Sequence, residues 1–303
     1  MAEHYIVDLF DHRLEPILKE LYATHRERAE KIDWSYHEFL PWDKGRCFKR
    51  EPWDISQRTL PNGIYTAIET ALLTEVNLPW FTTHLAITFK GTLEVLTQFV
   101  HTWTSEEDQH SSLLETYLLL TRNADPHELH RLRKKVVETA FELDFIDSAL
   151  QTMVYTAIQE LATMVFYNNV AKVATPHDPD LSRLLRRLSK DESLHFAFYR
   201  DAVKAYLSID HNFIYYIEKV MTNFRMPGHE MPNFEERMNI AALEANYGPV
   251  AYFKQVYEYL LETWGVRDLQ PSRTEAVEAK VRLLKHYEKM KRVSERLAAK
   301  GYM

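Results

Sequence analysis

Glu107-Asp108-Gln109-His110 and Glu192-Ser193-Leu194-His195 share the pattern Glu-x-x-His, and each has a glutamate 32 residues upstream, Glu75 and Glu160. Adding 85 to positions 75, 107 and 110 gives 160, 192 and 195, so the three residues repeat with one offset. Positions i and i+3 of an α-helix lie on one face about a turn apart, so each Glu-x-x-His can aim both side chains at one point. A single Glu-x-x-His is common by chance. Two of them, each with a matched glutamate and an inward apolar stripe, are not. Two glutamates and two such pairs on helices make up the donor set of a carboxylate-bridged di-iron centre in a four-helix bundle. Six ligands on two metals leave positions open for dioxygen. Carboxylate and imidazole donors suit iron or manganese, and four anionic ligands balance two divalent ions. The pattern points to redox chemistry with dioxygen.

The sequence around these residues reads as all-α. Only 7 of 303 residues are glycine, and none falls between Gly91 and Gly228. Scarce glycine, with long runs rich in Leu, Ala, Glu, Arg and Lys, argues against sheet folds that turn often. Helices are expected over residues 8–25, 63–88, 91–121, 127–140, 144–173, 179–207 and 272–299, with an irregular aromatic segment at 34–62. Pro79 cannot donate to the Glu75 carbonyl, so the helix should kink or break beside that residue. Leu113, Leu114, Tyr117 and Leu118 continue the inner stripe after His110, as Phe198 and Tyr199 do after His195. The expected organisation is a single domain over 1–303, with its bundle core at about 63–207 and further helices at 208–303.

Composition excludes other classes. The chain is 46% hydrophobic, and its one cysteine, Cys47, rules out an internal disulfide or a thiolate metal cage. Its first twenty residues carry charges where a signal peptide needs an apolar core. No apolar run reaches the roughly 18 residues of a bilayer span. A cytoplasmic protein without membrane insertion is expected. A net charge of −7 argues against nucleic-acid binding.

An acidic residue precedes each motif glutamate: Glu106 and Asp191. Metal-bound histidines usually donate their second N–H to a carboxylate, carbonyl or water. By the symmetry of the repeat, Asp191 should orient His110 and Glu106 should orient His195. His101, His127, His130 and His177 have no such context and are expected at the surface.

Thr74-Glu75-Val-Asn-Leu-Pro79, Trp103-Thr-Ser-Glu-Glu107-Asp-Gln-His110, Gln159-Glu160-Leu-Ala-Thr163 and Asp191-Glu192-Ser-Leu-His195 resemble the soluble acyl-acyl-carrier-protein desaturases, the stearoyl-type plastid enzymes and their actinobacterial relatives. The resemblance extends through Asp33-Trp34-Ser-Tyr-His-Glu-Phe39-Leu-Pro41, the Trp53-Asp54 region and Asn223-Phe-Arg-Met-Pro227, and covers about residues 10–265. It implies a ferritin-like four-helix di-iron bundle with flanking helices, usually a homodimer. It implies insertion of a cis double bond into a saturated acyl chain on acyl carrier protein, with dioxygen as oxidant and a ferredoxin-type electron donor. Its iron ligands fall on Glu75, Glu107, His110, Glu160, Glu192 and His195, and its electron route on Trp34, Asp191 and His110. Thr163 matches a threonine near the oxygen-binding face, and i+3 spacing from Glu160 aims it the same way. The chain departs from the family at Glu106-Glu-Asp-Gln-His110-Ser111, where the familiar motif is Glu-Glu-Asn-Arg-His-Gly. It departs again at Phe166-Tyr167, where many relatives carry Ser-His.

Met153, Met164, Leu114 and Phe198 are candidate walls of an acyl channel. Acyl carrier protein is acidic, so a basic docking surface is expected. Arg183, Arg187 and Lys190, with Arg186 beside them, should lie opposite Glu192 and face solvent. Two other patches compete, Arg131–Lys135 and the set Lys285, Lys289 and Arg292. The alternatives are a di-iron hydroxylase acting on a carrier-bound substrate, a ferritin-like ferroxidase or storage protein, and a radical-generating ribonucleotide reductase subunit. The last typically has Asp where Glu75 stands.

Overall fold

The computed structural model describes residues 12–139, 143 and 145–303. Residues 8–11 of the expected first helix, and Glu3, His4 and Asp8 of the charged N-terminus, lie outside the described residues, as does Asp144. Twelve α-helices and no strands occur among the described residues. They are α1 (Leu14–Lys31), α2 (Asn62–Glu75), α3 (Leu78–Phe89), α4 (Glu94–Leu120), α5 (Pro126–Glu138) and α6 (Ala149–Ala174). Then follow α7 (Pro179–Ile209), α8 (Ile214–Asn223), α9 (Phe234–Glu244), α10 (Pro249–Tyr252), α11 (Glu258–Thr263) and α12 (Thr274–Ala298). A π turn, Phe253–Tyr257, joins α10 to α11.

Local chemistry sets several boundaries. Asp178 caps α7 by accepting from Leu181 N–H, with Pro179 in the first turn. Ser148 caps α6 by accepting from Gln151 N–H, so that helix begins later than its apolar pattern suggests. The helix expected over 63–88 is two helices. It stops at Glu75, turns through Val76 and Asn77, and restarts at Leu78 with Pro79 in the new first turn. Pro79 has no N–H to give the Glu75 carbonyl, and the Asn77 N–H turns back to the Thr74 carbonyl instead, which ends the helix at the candidate donor.

Four arms form the bundle: α2 with α3, then α4, α7 and α6, each packed on the next around the ring. The other helices cover its sides. α1 lies on α4 and α7, whereas α9 lies on α2. α1 and α9 therefore occupy opposite faces of the bundle, and this placement fixes what can reach the centre from each side. One buried apolar cluster links the arms to their covers, from Leu14 in α1 to Tyr287 in α12. No described helix is long and apolar enough to cross a membrane.

Candidate metal centre

The six candidate donors meet inside the bundle, one from α2, two from α4, one from α6 and two from α7. Two groups have donor atoms within 4.8 Å of one another: Glu107, Glu160, Glu192 and His195, and Glu75, His110 and Glu192. Glu192 belongs to both. Glu107 points one oxygen at each histidine, 2.9 Å from His110 Nδ1 and 2.7 Å from His195 Nδ1. Glu160 Oε2 lies 3.5 Å from His195 Nδ1, and Glu75 Oε2 lies 3.9 Å from His110 Nδ1. Glu107 thus faces both histidines and Glu192 belongs to both groups, whereas Glu75 and Glu160 each belong to one.

Both histidines turn Nε2 outward. His110 Nε2 donates to Asp191 Oδ2 at 3.2 Å, and His195 Nε2 donates to Glu106 Oε2 at 3.0 Å. An ionised carboxylate can only accept, so Nε2 carries a proton and Nδ1 is the nitrogen left to offer a lone pair to a cation at the centre. Glu107 Oε1, Glu160 Oε2, Glu192 Oε1 and both Nδ1 atoms are buried without a hydrogen-bond partner. Orphaned donors of this kind, converging on one spot, fit two divalent cations with oxygen and nitrogen preference. Burial, partly opposed by the His110 charge, pushes Glu75 up to about 7, and burial also raises Glu192, with the Glu107 charge adding to the effect. Burial works the same way on Glu107, but in the metal-free protein the positive charge of the His110 and His195 rings outweighs it and holds this carboxyl below the ordinary range. Two cations would relieve this crowding of like charge.

A second layer holds the donors. The Trp34 indole donates to Asp191 Oδ2 at 2.8 Å, and Arg187 Nη2 donates to Asp191 Oδ1 at 2.6 Å. His25 Nε2 lies 2.9 Å from Glu106 Oε2, and the Trp103 indole donates to Glu160 at 3.0 Å. The Tyr167 hydroxyl donates to Glu75 Oε1 at 2.5 Å. Sequence reading assigned no role to His25, Trp103 or Tyr167. Helical phase held the signal for two of them: Trp103 is one turn before Glu107, and Tyr167 one turn after Thr163. His25 follows Leu14 and Leu18 on the buried stripe of α1. Thr163 donates to the Gln159 carbonyl and lines the cavity beside Glu75. His101, His127, His130 and His177 are exposed.

Two expectations need correction. Arg187 does not face solvent: it is 9% exposed, bonded to Asp191 and stacked over the Trp34 ring. The segment carrying Trp34 covers that side of α7. Met153, Leu114 and Phe198 are packed core, with Phe198 stacked on Phe99 at 3.6 Å, and Met164 is half-buried. None of the four lines the openings that reach the centre. The apolar route comes instead from the chain after residue 223. A groove of about 870 Å³ is lined by Phe224, Met226, Phe234, Met238, Tyr247 and Tyr252, among others. It shares Met226, Phe234, Met238 and Tyr247 with an inner cavity of about 40 Å³, which also touches Glu75 and Thr163. A space of about 20 Å³ continues from there to Glu107 and Glu192.

A helical bundle holding two converging Glu and His groups, each histidine backed by a carboxylate, places the chain among helical proteins with a buried carboxylate and histidine cluster that could hold metal. The comparisons narrow that class. The family profile described as Fatty acid desaturase matches residues 7–302. Mycobacterium tuberculosis DesA1, an acyl-(acyl-carrier-protein) desaturase by name, is 30% identical over 266 residues, which cover 84% of this chain and 77% of that protein. A chloroplastic stearoyl-(acyl-carrier-protein) 9-desaturase of Elaeis guineensis var. tenera is 25% identical over 263 residues, covering 81% and 66%. The X-ray structure of M. tuberculosis DesA2 shares the fold, with a TM-score of 0.65, 23% identity, and 88% and 97% of the two chains covered. The chain belongs to the fatty acid desaturase family.

Proposed function

We propose that this protein introduces a cis double bond into a saturated acyl chain carried on acyl carrier protein, using dioxygen and two electrons from a ferredoxin-type donor. The observation that carries this reading is an apolar groove that begins at the surface and ends against Glu75 and Thr163. Two bound irons would supply the oxidising power, because no protein side chain removes hydrogen from an unactivated methylene. Glu75, Glu107, His110, Glu160, Glu192 and His195 would hold them.

The chain's own groups do the rest. Asp191 and Glu106 keep the histidine protons on Nε2 and the Nδ1 atoms inward. Tyr167 and Trp103 fix the outer carboxylates. Trp34 and Asp191 connect His110 to the protein surface for electron entry. Phe166 and Tyr247 meet edge to face, ring centroids 5.2 Å apart, and line the inner cavity together. They would hold the acyl chain and keep bulk water from the centre.

The test is to incubate iron-loaded protein with a panel of saturated acyl carrier protein thioesters, a ferredoxin reducing system and oxygen, then identify products by mass spectrometry. An alkene supports the reading. An alcohol moves the protein to the hydroxylases, and rapid iron oxidation without product favours storage. Scattering should give a homodimer, where storage would give a hollow shell.

A further inference from the structure

Tyr167 stands between the candidate centre and the inner cavity. Its side chain is fully buried, and it lines the cavity of about 40 Å³ together with Glu75 and Thr163. Its hydroxyl donates to Glu75 Oε1 at 2.5 Å, while Glu75 Oε2 lies 3.9 Å from His110 Nδ1. One carboxylate therefore joins the phenol to the candidate metal site, with the phenol on one oxygen and the other oxygen turned toward the donors. Tyr167 also falls where the chain departs from the Ser-His of many relatives, so this contact is a feature of this chain.

Two other buried, oxidisable side chains flank the donors, and each lacks part of this arrangement. Tyr199 is one turn after His195, but its hydroxyl has no hydrogen-bond partner. The Trp103 indole donates to Glu160 at 3.0 Å, but it touches only the innermost space of about 20 Å³ and not the cavity that continues the groove. The difference matters because an oxidised phenol or indole that kept its proton would bury a positive charge, which is costly. Tyr167 alone pairs a proton acceptor within bonding distance with a place on the cavity wall.

We propose that Tyr167 is a redox-active side chain that gives one electron and one proton when dioxygen reacts at the loaded centre and no acyl chain is bound. The proposal rests on the reading of the site as a dioxygen-using metal pair. Reduction of one dioxygen to two waters takes four electrons and four protons. In a full turnover two electrons come from the reduced centre and two from the acyl chain, which leave it as hydrogen atoms. Without the chain, two electrons are missing. Tyr167 supplies one of them: its O–H bond breaks, the electron passes to the centre, the proton passes to Glu75 Oε1, and a neutral phenoxyl radical remains. The electron carrier supplies the other electron, and solvent supplies the remaining three protons. One more electron from the carrier, with the proton returned by Glu75, restores the phenol.

The test mixes reduced, iron-loaded protein with dioxygen in the absence of thioester and freezes it rapidly for electron paramagnetic resonance. The expected result is a radical signal that narrows when the protein carries ring-deuterated tyrosine and stays unchanged when it carries ring-deuterated tryptophan. Tyr167→Phe loses the signal and Tyr199→Phe keeps it, at iron far above saturation and with bound iron measured in each. Spin trapping and peptide mapping of wild type place the radical on residue 167 without any variant. A signal narrowed by labelled tryptophan, a spin adduct on another residue, or no radical in protein that consumes dioxygen overturns the proposal. Alkene formation from a saturated acyl carrier protein thioester, measured on the same preparation, tests the desaturase reading separately. A trapped Tyr167 radical without alkene removes that reading and leaves the proposal standing, and alkene without the radical does the reverse.

Discussion

Asp191→Ala is the most informative single change, because buried His110 and Arg187 and half-buried Trp34 all depend on this carboxylate. It accepts from Trp34 at 2.8 Å, Arg187 at 2.6 Å and His110 at 3.2 Å. Burial pushes its pKa up, but the His110 bond and the neighbouring positive charges outweigh that and hold it below the usual carboxylate range. A hydrogen bond to a charged group contributes roughly 1.5–3 kcal/mol, so three stranded donors would cost about 5–9 kcal/mol if nothing replaced the acceptor. The adjoining cleft, which Trp34 and Asp191 line, admits water to the Trp34 donor, which lowers the expected loss of folding stability to about 3–6 kcal/mol. Loss of the group that orients His110 should also weaken metal binding by about 10–100-fold. Glu106→Ala is the matched control. That side chain is 21% exposed and serves His195 and His25 only, so the stability loss should be smaller, about 1–2 kcal/mol. Urea unfolding of the metal-free proteins measures the first quantity, and calorimetric titration with ferrous or cobaltous ion measures the second. Wild-type metal affinity in Asp191→Ala, or a greater stability loss in Glu106→Ala, would refute the reasoning.

Tyr167→Phe removes the hydroxyl that donates to Glu75 at 2.5 Å and should weaken one of two metal sites about tenfold, visible as a split titration; a single unchanged isotherm contradicts this. Metal affinity should rise with pH through the range 5 to 7, because burial, against the His110 charge, raises Glu75 to about 7 in the metal-free protein and a cation must displace that proton. A flat profile between pH 5 and 7 counts against the assignment of Glu75. Gly63→Ala places a Cβ 2.3 Å from Glu244 Cβ where α2 meets α9, and should cost about 1–3 kcal/mol in thermal or urea unfolding. Wild-type stability there would show that α9 can shift away from α2.

How much of this was legible from sequence depends on how far each inference reached along the chain. The six candidate donors and the break at Pro79 are local facts: helical period sets which side chains share a face, and a missing N–H acts within one turn. Arg187 shows where local reasoning stops. Its direction away from Glu192 was read correctly from the helical phase, yet that direction is covered by the Trp34 segment, more than 150 residues earlier. The groove escaped for the same reason. It forms where the Met226-Pro-Gly-His229 break and α9 lie against α2 and α6, and no periodicity within a bundle helix reveals that meeting. His25 reads as an odd polar residue on an apolar stripe until Glu106 is brought beside it.

The repeat that makes the centre symmetric also shows where its two halves part. Glu106 and Asp191 occupy equivalent places, but His25 backs the first and Trp34 with Arg187 backs the second. On the Glu160 side the helix continues unbroken past Thr163, and the Trp103 indole closes it off. On the Glu75 side the helix ends and the groove arrives. His110, inner end of the Trp34 chain, belongs with Glu75 and Glu192. The proposed electron route and the proposed acyl route thus reach the same half of the centre from opposite faces of the bundle. That arrangement lets both partners stay docked through a turnover, since neither blocks the other. It also explains why one half can remain enclosed: with both routes ending on the Glu75 side, the Glu160 side needs only to hold its ligands.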